Sequence, residues 1–391
     1  MSASPSQTAM VLSGGGAYGA FSIGVMKALF AGRSPATAYE PLIADIFTGT
    51  SVGAFNAAMM VAQSHTALID AAGALENVWL QYVADRPGRC GNGIFRLRGN
   101  VSEFLDTGCL ARPATMAARI ADDGLVIGRY VLERTLNFLA SSAPLEERAM
   151  ELVNIGAFVD SSPYAEMLNS LIREDDIRQS PKRLQIVATN WITGKARNFT
   201  NSDFHDGRGI RSIMASTAIP GVFPPERIGE DVYVDGGVVE NTPLSSAINA
   251  GATNLHVIYL DPSPSVVRLR GEPYTIDTML RVYFIMLATK LSEDIESARW
   301  INAGLDAIAN YREEQAISDA AVRDFVRVAS QLAGSGGKIY KRIVVHRYFP
   351  EKALGSDLGM LDFGLDPIAR MIMEGERAAL LHDCVVNQCV L

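Results

Sequence analysis

Three short stretches of this chain carry residue types that could do chemistry together. Gly49-Thr50-Ser51-Val52-Gly53 has the Gly-x-Ser-x-Gly spacing of a nucleophile elbow, where glycines two positions either side of a serine let a strand turn sharply into a helix. A serine so presented can attack a carbonyl if a base takes its proton and if N–H donors receive the oxygen that becomes negative. Gly14-Gly15-Gly16 could supply such donors, because three residues without side chains let main-chain N–H groups point unobstructed at one spot, and the N–H of Val52 lies beside the serine. Asp235-Gly236-Gly237 adds a carboxylate next to two glycines that allow another backbone or a substrate to come close. Taken singly, each stretch has an ordinary reading: a tight turn, or the Asp-Gly punctuation of a hairpin.

The elements that must position these residues are legible from apolar runs. Thr8 to Ser13 reads as a buried strand and Ala20 to Phe30 as a helix; Asp45 to Thr48 and Val52 to Val61 repeat the pattern. Two strand-turn-helix units in succession predict an α/β chain whose parallel strands place both turns at one sheet edge. Val232 to Val234 is a strand, and Asn241-Thr242-Pro243 opens a helix running to Gly251, which puts Asp235 on a short loop between them. Leu184 to Asn190, Arg197 to Thr200, Leu255 to Leu260 and Arg342 to His346 read as further strands. Long amphipathic helices are expected over Leu280 to Ile308, with a closing helix from Pro367 to Val386.

Between Leu75 and about Pro181 the chain reads as a helical insertion over the edge that holds the turns, with Leu132, Leu136 and Leu139 on one helix face. Arg86, Arg89, Arg96 and Arg98 within it read either as a solvated loop or as a contact for anionic lipid head groups. Asp122-Asp123 and Glu174-Asp175-Asp176 read as solvated turn or capping residues.

A net charge of -8 over 391 residues argues against nucleic acid as a general partner. Cys90, Cys109, Cys384 and Cys389 follow no short metal-ligand spacing, so neither a metal site nor a disulfide scaffold is expected, and a reducing, cytoplasmic setting fits them. No basic segment followed by an apolar core opens the chain, and no apolar run nears the roughly 20 residues that span a bilayer. Membrane contact would therefore be peripheral, with export lacking a cleaved signal left open. Gly14-x-Gly16-x-x-Gly19 also matches the dinucleotide fingerprint, but the next strand ends in the serine elbow where a ribose-binding acid would stand, and no Gly-Lys-Ser/Thr follows. Of the five histidines, His256 and His346 come nearest to the chain order of a Ser-Asp-His triad, yet neither sits on a loop with small neighbours.

In combination these residues resemble the patatin-like lipid acyl hydrolases. The likeness rests on the glycine turn Gly14 to Gly19, the elbow Gly49 to Gly53, Asp235-Gly236-Gly237, and the segment Ala215-Ser216-Thr217-Ala218-Ile219-Pro220-Gly221-Val222-Phe223-Pro224-Pro225, in that family's order, over roughly Met10 to Asp261. The resemblance implies a three-layer α/β/α fold spanning 8–350, with the insertion at about 75–181 and a C-terminal helical segment, 351–391, on the same core. It implies a Ser51–Asp235 dyad without histidine, an oxyanion hole from Gly14, Gly15, Gly16 and Val52, supporting glycines Gly49, Gly53, Gly236 and Gly237, a lipid ester substrate, and no required metal or cofactor. The family often carries Arg or Lys where this chain has Tyr18. A catalytically silent binding protein with the same fold is the alternative.

Overall fold

Strand β1 (Thr8–Leu12) is apolar on both faces because both are covered: Ala9 and Val11 enter one apolar layer, Met10 and Leu12 the other. The same alternation splits Ile46 from Phe47 in β2 (Ile46–Thr50). Helices α1 (Gly19–Phe30) and α2 (Val52–Ala62) pack in the layer of Met10 and Phe47, while Leu244, Ala247, Ile295 and Ala298 from helical segments fill the other. A sheet between two helical layers follows, an α/β fold with three layers. The computed structural model describes residues 6–85, 92–98, 113–140, 159–260, 282, 285, 295–311, 318–332, 340–352, 354 and 359–391. Leu280, Phe284, Leu287 and Leu291 of the expected amphipathic helices lie outside the described residues, as do Arg86 and Arg89.

Besides β1 and β2, the strands are β3 (Arg96–Leu97), β4 (Val159–Asp160), β5 (Arg183–Asn190), β6 (Ala196–Thr200), β7 (Glu226–Ile228), β8 (Asp231–Asp235), β9 (Asn254–Ile258) and β10 (Val344–Tyr348). In the main sheet β10, β9, β1, β2 and β5 run parallel in that order, and β6, β8 and β7 are antiparallel additions beyond β2. The registers contain the feature that organises the site. Residues 185–187 of β5 pair with both β2 and β6, and residues 188 and 189 pair with both β6 and β8. A strand has two edges, so β2 and β8 must share one edge of β5. Strand β2 occupies it as far as Thr50 opposite Val187, and β8, running the other way, takes over with Asp235 opposite Ala188. The two strands meet end to end. Asp235 is therefore the last residue of a strand, where a loop position was expected.

The insertion differs from its sequence reading in its charges. Asp122 and Asp123 lie within α3 (Pro113–Ala140), not in a turn, and Leu132 and Leu136 of that helix are exposed. Arg96 and Arg98 form no free basic patch: the Arg96 guanidinium binds Asp123 through Nη1 and Nη2 at 2.8 and 2.9 Å and Asp160 through Nε and Nη2 at 3.2 and 3.0 Å, while Arg98 pairs with Asp122 at 2.9 Å and Asp160 at 3.3 Å. Arg96 and Asp160 are buried and face each other across the β3–β4 pair. Burial alone would raise the Asp160 carboxyl, but hydrogen bonds from Ser162 and the charges of Arg98 and Arg96 outweigh it and hold the group below its ordinary value. Its contribution to stability is thus complete above the unfolded carboxyl value of about 3.9 and is lost as the pH falls below that. Arg96→Gln should destabilise the chain by about 3 kcal/mol, because removing one partner of a buried pair leaves carboxylates uncompensated. Urea unfolding at neutral pH checks this, and the deficit should shrink as the pH is lowered below about 4.

Candidate active site

The elbow takes its shape from glycines. A Cβ on Gly49 would strike the Gly53 carbonyl, and one on Gly53 would strike the Leu12 carbonyl of β1, so the turn from β2 into α2 closes only without them. Ser51 sits at its apex with φ 55 and ψ -127, a left-handed backbone that costs of order 1–3 kcal/mol for a residue with a side chain. The surrounding contacts hold it there. Its N–H donates to Ser216 Oγ at 2.9 Å, and that hydroxyl donates on to the Val187 carbonyl at 2.6 Å. Ser216 closes α4 (Arg208–Ser216), whose first N–H groups at Gly207, Gly209 and Ile210 are received by Glu174. Glu174 is thus a capping residue, as one of its sequence readings has it, but for a helix other than its own.

Asp235 is fully buried. Its Oδ1 accepts from the Gly237 N–H at 2.7 Å, its N–H donates to the Ala218 carbonyl at 2.8 Å, and its own carbonyl accepts from Thr189 Oγ at 3.0 Å. Gly236 lies against the end of β2: a Cβ there would strike the Val187 carbonyl and stand 3.0 Å from Thr50 Cγ2. The segment that follows ties back to the elbow and the glycine turn, with Thr50 Oγ1 donating to the Glu240 carbonyl at 2.7 Å and Ser13 Oγ 2.7 Å from Thr242 Oγ1. Ser51 and Asp235 therefore flank one junction, each fixed by backbone bonds on both sides.

The glycine turn runs past the same point. A Cβ on Gly14 would come within 2.9 Å of Ser51 Cβ. The Gly14 N–H, expected as an oxyanion donor, instead donates to the Asn241 carbonyl at 3.1 Å, so Gly14 contributes its bareness and not a donor. Among the described residues no acceptor takes the N–H of Gly15, Gly16 or Val52. Val52 opens α2, whose aligned peptide dipoles favour negative charge at that end. Tyr18, in the position where the resembled family often has a cation, is buried beside Gly359 and brings no positive charge. Gly15→Ala would bring a methyl to 2.9 Å from Leu260 Cβ and tilt the turn. It is expected to lower turnover about a hundred- to a thousand-fold, as loss of one oxyanion donor does, with KM little changed. Steady-state kinetics on a soluble ester read both.

A pocket of about 700 Å³, part of it open to solvent, leads to Ser51; Phe55, Trp79, Ile94, Phe223 and Phe363 make much of its wall. Tyr164 lines it too. Burial lifts the Tyr164 hydroxyl well above the usual phenol value, a hydrogen bond with Thr217 works against this, and the charge of Asp235 adds to it, so the phenol stays protonated near the carboxylate. Tyr164 and Ser216 were not marked as site residues by sequence reasoning; Ser216 lies within the Ala215 to Pro225 segment that carried part of the resemblance. No histidine lines the pocket. His256 and His346 stack on each other in β9 and β10, on the far side of β1 from β2.

A family model described as patatin-like phospholipase matches residues 10–248, which include the glycine turn, the elbow and Asp235. Mouse calcium-independent phospholipase A2-gamma is 28% identical over 162 residues, 36% of this chain and 20% of that protein. An uncharacterized NTE family protein of Mycobacterium tuberculosis is 25% identical over 166 residues, 42% of this chain and 25% of the other. The chain thus spans a fifth to a quarter of the length of these relatives. Among solved structures, VipD from Legionella pneumophila aligns with 94% of this chain and 67% of its own at 13% identity and a TM-score of 0.34.

Proposed function

The chain belongs to the patatin-like phospholipase family, and from that premise we propose that it hydrolyses acyl esters of phospholipids or related lipids through Ser51 and Asp235. The observation that carries this reading is the meeting of β2 and β8 on one edge of β5, which brings Ser51, on the wall of an apolar pocket, and the buried Asp235 to one junction. Ser51 Oγ attacks the acyl carbonyl carbon while Asp235 takes its proton. N–H groups of Gly15, Gly16 and Val52 receive the oxyanion as it forms. When the intermediate collapses, the C–O bond to the leaving alcohol breaks and Asp235 returns a proton to that oxygen. Water, deprotonated by the same carboxylate, then releases the fatty acid from Ser51. No histidine enters these steps.

The pocket's mostly apolar walls suit an acyl chain. Beyond the junction, β5 ends at Asn190 and the next two residues, Trp191 and Ile192, stand exposed, as amphipathic and apolar side chains do where a protein touches lipid at its surface. No helix among the described residues is long and apolar enough to cross a membrane, so such contact is drawn as peripheral. The test is a digest of mixed phospholipid vesicles followed by mass spectrometry, with a pre-steady-state burst on a p-nitrophenyl ester as the sign of an acyl-enzyme. Released fatty acid that accumulates with the protein and not with Ser51→Ala is the expected result. Vesicle binding without any release would instead make the chain a silent lipid-binding relative.

A further inference from the structure

The fold assembles a side-chain cluster that sequence spacing concealed, at the β10 edge of the sheet, away from the pocket. His346 comes from edge strand β10; His382, Cys384 and Cys389 come from the turn after α5 (Leu365–Leu380). One ligand atom from each of the four lies within 4.8 Å of every other. Cys384 Sγ is 3.4 Å from His382 Nε2 and 3.5 Å from His346 Nδ1, and Cys389 Sγ is 3.5 Å from His382 Nε2. A tetrahedral zinc ion with bonds of about 2.3 Å to sulfur and about 2.0–2.1 Å to nitrogen holds such atoms about 3.5 Å apart. From this geometry we propose that His346, His382, Cys384 and Cys389 form a structural site for one zinc-like divalent ion.

The ligand chemistry selects the ion. Two thiolates and two imidazoles suit zinc, whereas calcium and magnesium want oxygen ligands. Four protein ligands also complete a tetrahedral shell, leaving no position for an activated water, which marks the role as structural. The turn is shaped to present its cysteines: the Cys389 N–H donates to the Cys384 carbonyl at 2.9 Å, Asp383 Oδ1 receives the N–H groups of Val385 and Val386 at 2.7 and 3.2 Å, and Gln388 takes a left-handed φ of 52. Neighbouring rings fix the imidazoles. His256 stacks on His346 with centroids 4.9 Å apart and is itself held by Tyr348, whose ring lies 4.7 Å from that of His382.

What the ion would do follows from what it joins. Val345 and Val390 exchange two backbone hydrogen bonds, of 2.7 and 3.0 Å, so the tail already lies along the outer edge of β10. The metal would lock that pairing and anchor the end of α5, which is bound to the end of α1 and the turn after it through Arg33–Glu376 at 2.6 Å and Ser34 Oγ to the Ala379 carbonyl at 2.7 Å.

Metal analysis of the full chain, purified with reductant and without chelator, should find roughly equimolar zinc. Cys384→Ser/Cys389→Ser should lose it, and Cys90→Ser/Cys109→Ser should keep it. Cobalt(II) added to the stripped protein should give the thiolate charge-transfer and ligand-field bands of a tetrahedral site, absent in the Cys384→Ser/Cys389→Ser variant. If that variant fails to fold, His346→Ala serves in its place, with weaker cobalt binding and shifted ligand-field bands expected, because two thiolates, one imidazole and a water replace the four protein ligands. A chelator should lower the unfolding midpoint of the parent chain by several degrees and leave the variant's unchanged. Substoichiometric zinc together with no cobalt bands would overturn the proposal. So would zinc retained in full by the Cys384→Ser/Cys389→Ser variant, or a mass two hydrogens light that reductant restores, which would make the cysteines a disulfide pair.

Discussion

Ser51→Ala is expected to abolish fluorophosphonate labelling and to lower ester turnover about 10⁵- to 10⁶-fold, the size of loss found when the nucleophile of a serine hydrolase is removed. The fold should survive. The contact that seats the elbow is made by the main-chain N–H of Ser51 to Ser216 Oγ, and alanine keeps that N–H. Alanine must still adopt the left-handed backbone at φ 55, as serine does, so the unfolding midpoint should move little. Circular dichroism and a thermal melt beside the activity assay separate a chemical defect from a structural one. Turnover near that of the parent in a folded variant would end the hydrolase reading.

The second large effect belongs to Asp235→Asn, expected to lower kcat about 10²- to 10⁴-fold, the contribution of a positioned general base. Asparagine preserves the shape and keeps a carbonyl oxygen to receive the Gly237 N–H, while Thr189 and Ala218 bind only the main chain. What it lacks is a place for the proton. The rate of fluorophosphonate labelling should fall along with turnover, because both begin with attack by the same hydroxyl. A small effect would point to another base; no histidine lines the pocket, and Glu226 is the carboxylate on its wall.

The local parts of this site are readable in the sequence because each depends on a steric demand that only certain residues meet. Gly49 and Gly53 lie where any side chain would strike a carbonyl, and such demands leave a visible spacing. The strands flanking them announce themselves as apolar runs. Direction and partner are another matter. Nothing in Val232-Tyr233-Val234 states that it enters antiparallel and stops against Thr50, because that depends on β5 outrunning β2. The charge of Arg96 reads as available until Asp160, 64 residues away, is brought opposite it. Cys384 and His346 are separated by 38 residues and meet only because the last turn folds onto the sheet edge. The occupation of the Gly14 N–H by Asn241 is equally a matter of tertiary contact.

The end-to-end meeting of β2 and β8 turns β5 into a ruler. Both strands are read against the same ladder of hydrogen bonds, so the gap between serine and carboxylate is set in whole residues and not by the length of a loop. Moving β8 by one residue along β5 would displace Asp235 by about 3.3 Å and turn its side chain to the opposite face of the sheet; moving it by two would restore the face but leave the carboxylate nearly 7 Å out of place. No continuous adjustment lies between these states. A single residue added or deleted between Asp231 and Asp235 would therefore displace the carboxylate by a full step.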